Sequence, residues 1–220
     1  MFDLLAVQEP LAVKVTYPAD YDGLEMNGTA VIQMLLNGSF NMLQERLEAM
    51  TDEEWGQRAL PGTSKLGFIL WHCARIIDWT VHCAFQGVPE VADRAEWRER
   101  FAPEACYGAG IPDALADRVV DSTSRTDVAL YLGEVKIEVG EWFARQNDQT
   151  LDAVPPMKAN QAGRPGYLDP SVWAEVADLN GLPTWQILAR PCGAHIRRHM
   201  GEYDVLLQAL RSRGVVTPRA

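Results

Sequence analysis

Four stretches of the chain repeat apolar residues at the three- and four-residue spacing that marks the buried face of an α-helix. They predict long helices over residues 28–50, 65–85, 124–143 and 184–210. The second stretch is apolar almost all round, which is typical of a central helix with little exposed surface. An all-α protein built as an up-and-down four-helix bundle is therefore the predicted fold.

Short signals mark the ends and one weak point of these helices. Thr51 and Ser124 are each followed three residues later by an acidic residue, which predicts a capping box at both positions. Thr63 or Ser64 is the predicted N-cap of the second helix. Pro191 lies inside the fourth helix, where its ring removes a backbone hydrogen bond and predicts a kink.

Two long connections, residues 88–122 and 147–183, carry several prolines and glycines. Loops this long inside a compact domain are usually functional walls or lids. They contain predicted short helices near residues 96–101, 113–120 and 171–179. Residues 1–27 hold further turn-forming residues and are predicted to be an N-terminal extension, with residues 28–220 forming one domain.

The fourth predicted helix carries two histidines in the middle of its inward-facing stripe, His195 and His199. Burying two imidazoles one turn apart is costly unless something satisfies them, and a metal ion between them commonly does so. The stripe comprises Trp185, Leu188, Cys192, His195, His199, Tyr203, Leu206 and Leu210, with Glu202 at its edge.

His72 is the candidate third ligand, because it also lies on an inward-facing stripe, near the middle of the second helix. Three histidines leave coordination positions open for water or substrate, as in catalytic rather than structural sites. A structural zinc site would favour closely paired cysteines, and the four cysteines show no such pairs.

Several neighbouring side chains allow two interpretations. Glu202 either orients a ligand ring or acts as a base on bound water, or it is a surface carboxylate paired with Arg198. Cys192 is expected to be a buried small hydrophobe, and His82 a partly exposed histidine at a helix end. Three arginines are interpreted as surface charges, with attraction of an acidic substrate as the alternative: Arg75, Arg197 and Arg198. Three glutamates are also interpreted as surface charges, with metal ligation as the alternative: Glu134, Glu138 and Glu141.

Charge and cysteine content narrow the partners. The net charge of −10 argues against a nucleic acid and against an anionic membrane surface. A small-molecule substrate is the predicted partner. Four cysteines in 220 residues, without a leader peptide or an apolar run that could span a bilayer, are typical of a reduced cytoplasmic protein.

Trp71-His72 on the second helix and His195-x-x-x-His199-Met200-Gly201-Glu202 on the last resemble the DinB-like metalloprotein superfamily. Residues 47–74 are similar to that family's first connection and second helix. Residues 96–101, followed by Gly108-x-Gly110, resemble actinobacterial members, which include mycothiol-dependent maleylpyruvate isomerases.

The resemblance spans roughly residues 29–211 and implies a four-helix bundle that binds zinc or nickel through His72, His195 and His199. It also implies that the protein transfers or isomerises a substrate with a low-molecular-weight thiol such as mycothiol or bacillithiol. A homodimer is a further implication of the resemblance. Two alternatives stay open, a metal-dependent hydrolase and a stress-response protein that binds metal or a small ligand without catalysis.

Overall fold

The computed structural model describes residues 27–213, which form helices and connecting loops without a β-strand in that range. The all-α prediction is therefore confirmed for this part of the chain. Four long helical segments organise it: α1 (Gly28–Ala49), α2 (Leu66–Asp78), α3 (Arg125–Phe143) and α4 (Thr184–Ile187, Leu188–His195 and Ile196–Arg213). The predicted N-terminal extension lies outside the described residues except for Asn27, which caps α1.

Shorter helices fill the connections between the four long segments. The α-helical ones are Asp52–Trp55, Ala95–Arg98, Asp113–Ser122, Asp148–Asp152, Met157–Asn160 and Pro170–Ala174. Single turns of 3₁₀-helix are formed by Val91–Asp93, Pro103–Ala105, Pro165–Leu168 and Ala177–Leu179. The helix predicted over residues 171–179 is thus broken into two pieces.

The predicted caps are mostly present. The Thr51 and Ser124 side chains each accept a hydrogen bond from the backbone N–H three residues on, and both capping boxes are complete. The N-cap of α2 is Lys65, however, so the prediction of Thr63 or Ser64 was wrong. Lys65 makes no side-chain cap bond, because its ammonium group has no acceptor for a backbone N–H.

Two of the long segments contain π-helix where the sequence predicted a regular α-helix. Trp79–Gln86 extends α2, and Leu188–His195 forms the middle of α4. The second π-helix contains Pro191, whose missing N–H already interrupts the α-helical ladder. Short π-helices often occur at functional sites, and this one ends on His195.

The core surrounds α2, every residue of which is buried. This helix contacts α1, α3 and α4, and α1 also contacts α3 and α4. The up-and-down order of the bundle stays a prediction. Among residues 27–213, none of the helices has the length and apolar character that crossing a bilayer requires.

The prediction was wrong for one residue of the inward-facing stripe of α4. The exposed fraction of Trp185 is 40%, whereas Leu188 and Cys192 are buried. The wider π-helical turns that begin at Leu188 shift the helical phase, so the stripe extrapolated backwards from His195 no longer reaches Trp185. Thr184 and Ile187 are buried in its place.

Candidate metal centre

His72 of α2 meets His195 and His199 of α4 in one cluster. The Nε2 atoms of His72 and His195 are 2.9 Å apart, and the ring centroids of His195 and His199 are 4.4 Å apart. One nitrogen from each ring lies within 4.8 Å of the others. Three nitrogens about 2.0–2.1 Å from a tetrahedral zinc ion lie roughly 3.4 Å from one another, so a single ion fits this donor set.

The surroundings keep the three rings neutral. Burial, reinforced by the neighbouring histidines, lowers the pKa of His72 to about 4 and that of His195 to about 3. Burial also lowers the pKa of His199, although Glu202 opposes the shift. Neutral imidazole is the form that binds a metal, so protons compete little for these nitrogens at neutral pH.

Two of the rings are oriented by hydrogen bonds on the side away from the cluster. The Nδ1 of His72 donates to the backbone carbonyl of Tyr107 at 2.6 Å. The Nδ1 of His199 donates to Oε2 of Glu202 at 2.8 Å. With Nδ1 protonated, Nε2 of each ring carries the free lone pair that a metal needs, and ligating histidines nearly always have such partners.

Glu202 therefore contacts a candidate ligand ring and makes no ion pair with Arg198 among residues 27–213. The interpretation as a ring-orienting carboxylate is the one this geometry favours. No pattern in the sequence predicted the hydrogen bond from His72 to the Tyr107 carbonyl. A backbone carbonyl has no residue signature, so only the fold of the connection after Phe101 reveals it.

A cavity of about 410 Å³ opens beside the cluster. The connection between α3 and α4 supplies one wall, with Glu175, Val176, Asp178 and Leu179. The remaining lining comes from α2, α4 and the connection after α2: His72, Ile76, Ala109, Arg190, Pro191, Ala194, His195 and Arg198. The two histidines at its edge place the candidate metal within reach of a small molecule in the cavity.

Two predicted surface residues are instead buried. His82 is 5% exposed, and its Nδ1 lies 2.6 Å from Oδ1 of Asp78, while Glu138 of α3 covers its other side. Arg75 is 3% exposed and bonded to the carboxylates of Asp78 and Glu90. Both predictions failed because the fold brings Glu90 and Glu138 against these polar groups, in addition to the nearby Asp78.

The remaining candidates behave more simply. Cys192 is fully buried, as expected, and burial raises the pKa of its thiol to about 12. Glu134 and Glu138 form ion pairs with Arg94, and Glu141 is exposed. The acidic row is therefore a partly solvated surface. In the part of the chain that the structure describes, only His72, His195 and His199 form a group of three with metal-ligand spacing.

One family model covers most of the chain. The model of the DinB superfamily matches residues 35–202, a span that contains all three histidines and Glu202. The chain therefore belongs to the DinB superfamily. No curated protein matches it.

Proposed function

We propose that the protein is a metal-dependent enzyme that transfers or isomerises a small molecule with a low-molecular-weight thiol such as mycothiol or bacillithiol. The observation that carries this proposal is the meeting of three neutral imidazoles, two of which, those of His72 and His195, line a cavity. Zinc or nickel is the proposed metal, because both accept imidazole nitrogens. His72, His195 and His199 are its proposed ligands.

A bound divalent ion would keep a thiol in its nucleophilic thiolate form at neutral pH. His72 and His199 present their nitrogens through the contacts to Tyr107 and Glu202. In the transfer step the thiol loses its proton, its sulfur forms a bond to an electrophilic carbon of the substrate, and the leaving group departs with its electron pair. Solvent accepts this proton, because Glu202 bonds His199 from the side away from the cluster and is not among the residues that line the cavity.

A cosubstrate is the proposed source of the sulfur, because the protein's own thiols are poorly suited to the role. Burial raises the pKa of Cys106 to about 11, and that of Cys83 to about 12. It also raises the pKa of Cys73 and Cys192. All four stay protonated at neutral pH, and a protonated thiol is a weak nucleophile.

The cavity lining supports a substrate with an apolar body and an acidic group. Ile76, Val176 and Leu179 supply apolar surface. Arg198 lines the same cavity and has no ion-pair partner among residues 27–213, whereas Arg190 is paired with Asp178. A carboxylate on the substrate would pair with Arg198.

The test is a thiol titration of the cobalt-substituted protein, followed through the d–d absorption bands. Mycothiol or bacillithiol should shift these bands, and the S-methylated form of the same thiol, which cannot give a thiolate, should not. An unchanged spectrum combined with turnover of ester or amide probes would replace the proposal with a hydrolase. An unchanged spectrum without turnover, in metal-replete protein, would leave a non-catalytic binding protein.

A further inference from the structure

The connection after α2 reaches the metal centre through a backbone carbonyl, and the residue before that carbonyl has an unfavourable backbone conformation. Its Tyr107 carbonyl accepts the hydrogen bond from His72. The preceding residue, Cys106, has φ 53°, and Ala102 has φ 45°. Both values lie in the left-handed region, which residues other than glycine rarely adopt. Tertiary contacts must therefore hold this peptide in place.

Arg75 supplies the contact that holds this peptide. It follows His72 by three residues on α2, so the two side chains leave neighbouring positions of one helix face. The Nε and Nη2 of Arg75 donate to the carbonyl of Cys106 at 3.2 and 3.1 Å. The carbonyl of Cys106 and the carbonyl of Tyr107 are consecutive, and each is bonded to its own side chain of α2.

The guanidinium is itself fixed by four more partners. They are Asp78 at 3.0 Å, Glu90 at 2.7 Å, and the hydroxyls of Tyr131 at 2.9 Å and Tyr167 at 3.1 Å. Arg75, Asp78 and Glu90 are all almost fully buried. A buried charge cluster adds little net stability, because removing the charges from water is costly. The rigid geometry that the cluster gives the guanidinium is therefore the property to explain.

We propose that Arg75 is a positioning residue for the metal centre. Its rigid fork holds the Cys106–Tyr107 peptide so that the Tyr107 carbonyl keeps the proton of His72 on Nδ1. Nε2 of His72 then faces His195, 2.9 Å away, with its lone pair available. The proposal rests on the metal site of the proposed function and not on the reaction performed there.

Gly108 shows how tightly this loop is placed against the ligand ring. It has φ 91°, and a Cβ built on it would lie 2.9 Å from the Trp71 ring and 3.0 Å from Nδ1 of His72. The peptide that meets His72 therefore has little freedom to move towards the helix. A small displacement after loss of the Arg75 contacts should lengthen the hydrogen bond to His72.

The test compares Arg75→Lys with Tyr131→Phe in two measurements. Lysine keeps the positive charge but lacks the planar fork. Tyr131→Phe removes a hydroxyl that bonds Arg75 and Asp78, and it leaves both bonds from Arg75 to the Cys106 carbonyl in place. We expect Arg75→Lys to weaken zinc binding about 10- to 100-fold, the usual effect of losing a partner that orients a ligand. Tyr131→Phe should leave zinc affinity within about threefold, although it lowers the free energy of unfolding.

The second measurement is the tautomer of His72 in the metal-free protein, read from nitrogen-15 chemical shifts. The wild type and Tyr131→Phe should carry the proton on Nδ1, and Arg75→Lys should show a mixture of both tautomers. Folded Arg75→Lys with unchanged zinc affinity and a pure Nδ1 tautomer would overturn the proposal. If the wild type binds no zinc, the metal site fails, and the tautomer alone still decides the role of Arg75.

A charge-balanced variant covers the case in which Arg75→Lys does not fold. Arg75→Met combined with Glu90→Gln removes one positive and one negative buried charge together. The same loss of zinc affinity and the same mixed tautomer are expected. Wild-type behaviour of this folded double variant in both measurements would refute the positioning role.

Discussion

Replacing Glu202 by glutamine tests whether the carboxylate on His199 supports metal binding. The bond between Nδ1 of His199 and Oε2 of Glu202 is 2.8 Å long, and the Glu202 side chain is 43% exposed. Loss of an orienting partner typically costs 10- to 100-fold in metal affinity. Water screens a half-exposed carboxylate, so we expect the lower end, about tenfold or roughly 1.4 kcal/mol.

Zinc affinity would be measured by competition with a chelating dye at neutral pH. Glu45→Gln is the matched control, because it makes the same change of charge at an exposed residue of α1 without an ion pair among residues 27–213. Its zinc affinity should equal that of the wild type. Equal affinities for Glu202→Gln and Glu45→Gln would refute the reasoning and return Glu202 to the surface.

Two further predictions concern the stability of the fold. A Cβ at Gly67 would lie 2.5 Å from the Trp55 ring, so Gly67→Ala should lower the free energy of unfolding by about 1–3 kcal/mol in urea titrations. Gly140 has open space around it, so Gly140→Ala should raise the free energy of unfolding by up to about 1 kcal/mol. Equal effects of the two substitutions would contradict the packing at Trp55. Burial would raise the pKa of Asp78, but the hydrogen bond from His82 and the charge of Arg75 outweigh it and lower the pKa. The ionised carboxylate therefore stabilises the fold above its unfolded pKa of about 3.9, and this stability is lost as the pH falls through the lower pKa of the folded state. Urea midpoints should therefore decline less steeply with falling pH in Asp78→Asn than in the wild type. Parallel declines would refute this role.

The periodicity of apolar residues was sufficient to predict the four long helical segments, since burial of one face is a property of each helix alone. The same periodicity placed His72, His195 and His199 on inward faces. It could not anticipate the π-helix around Pro191, which moved Trp185 to the surface.

Contacts between distant parts of the chain account for the other differences. His82 is buried because α3 brings Glu138 against it, and Arg75 because Glu90 and the two tyrosines surround it. The Tyr107 carbonyl reaches His72 only through the left-handed turn at Cys106. Such partners depend on how the long connections fold, and no local pattern of residue types encodes them.

The metal content of His199→Ala, compared with that of His82→Asn, tests the central claim most directly. His82 is the one histidine of the chain outside the cluster, and asparagine retains a donor near the position of its Nδ1. Elemental analysis should find about one divalent ion per chain in the wild type and in His82→Asn, and a sharp loss in His199→Ala. Full metal retention in His199→Ala would contradict the claim that three imidazoles from two helices hold one ion.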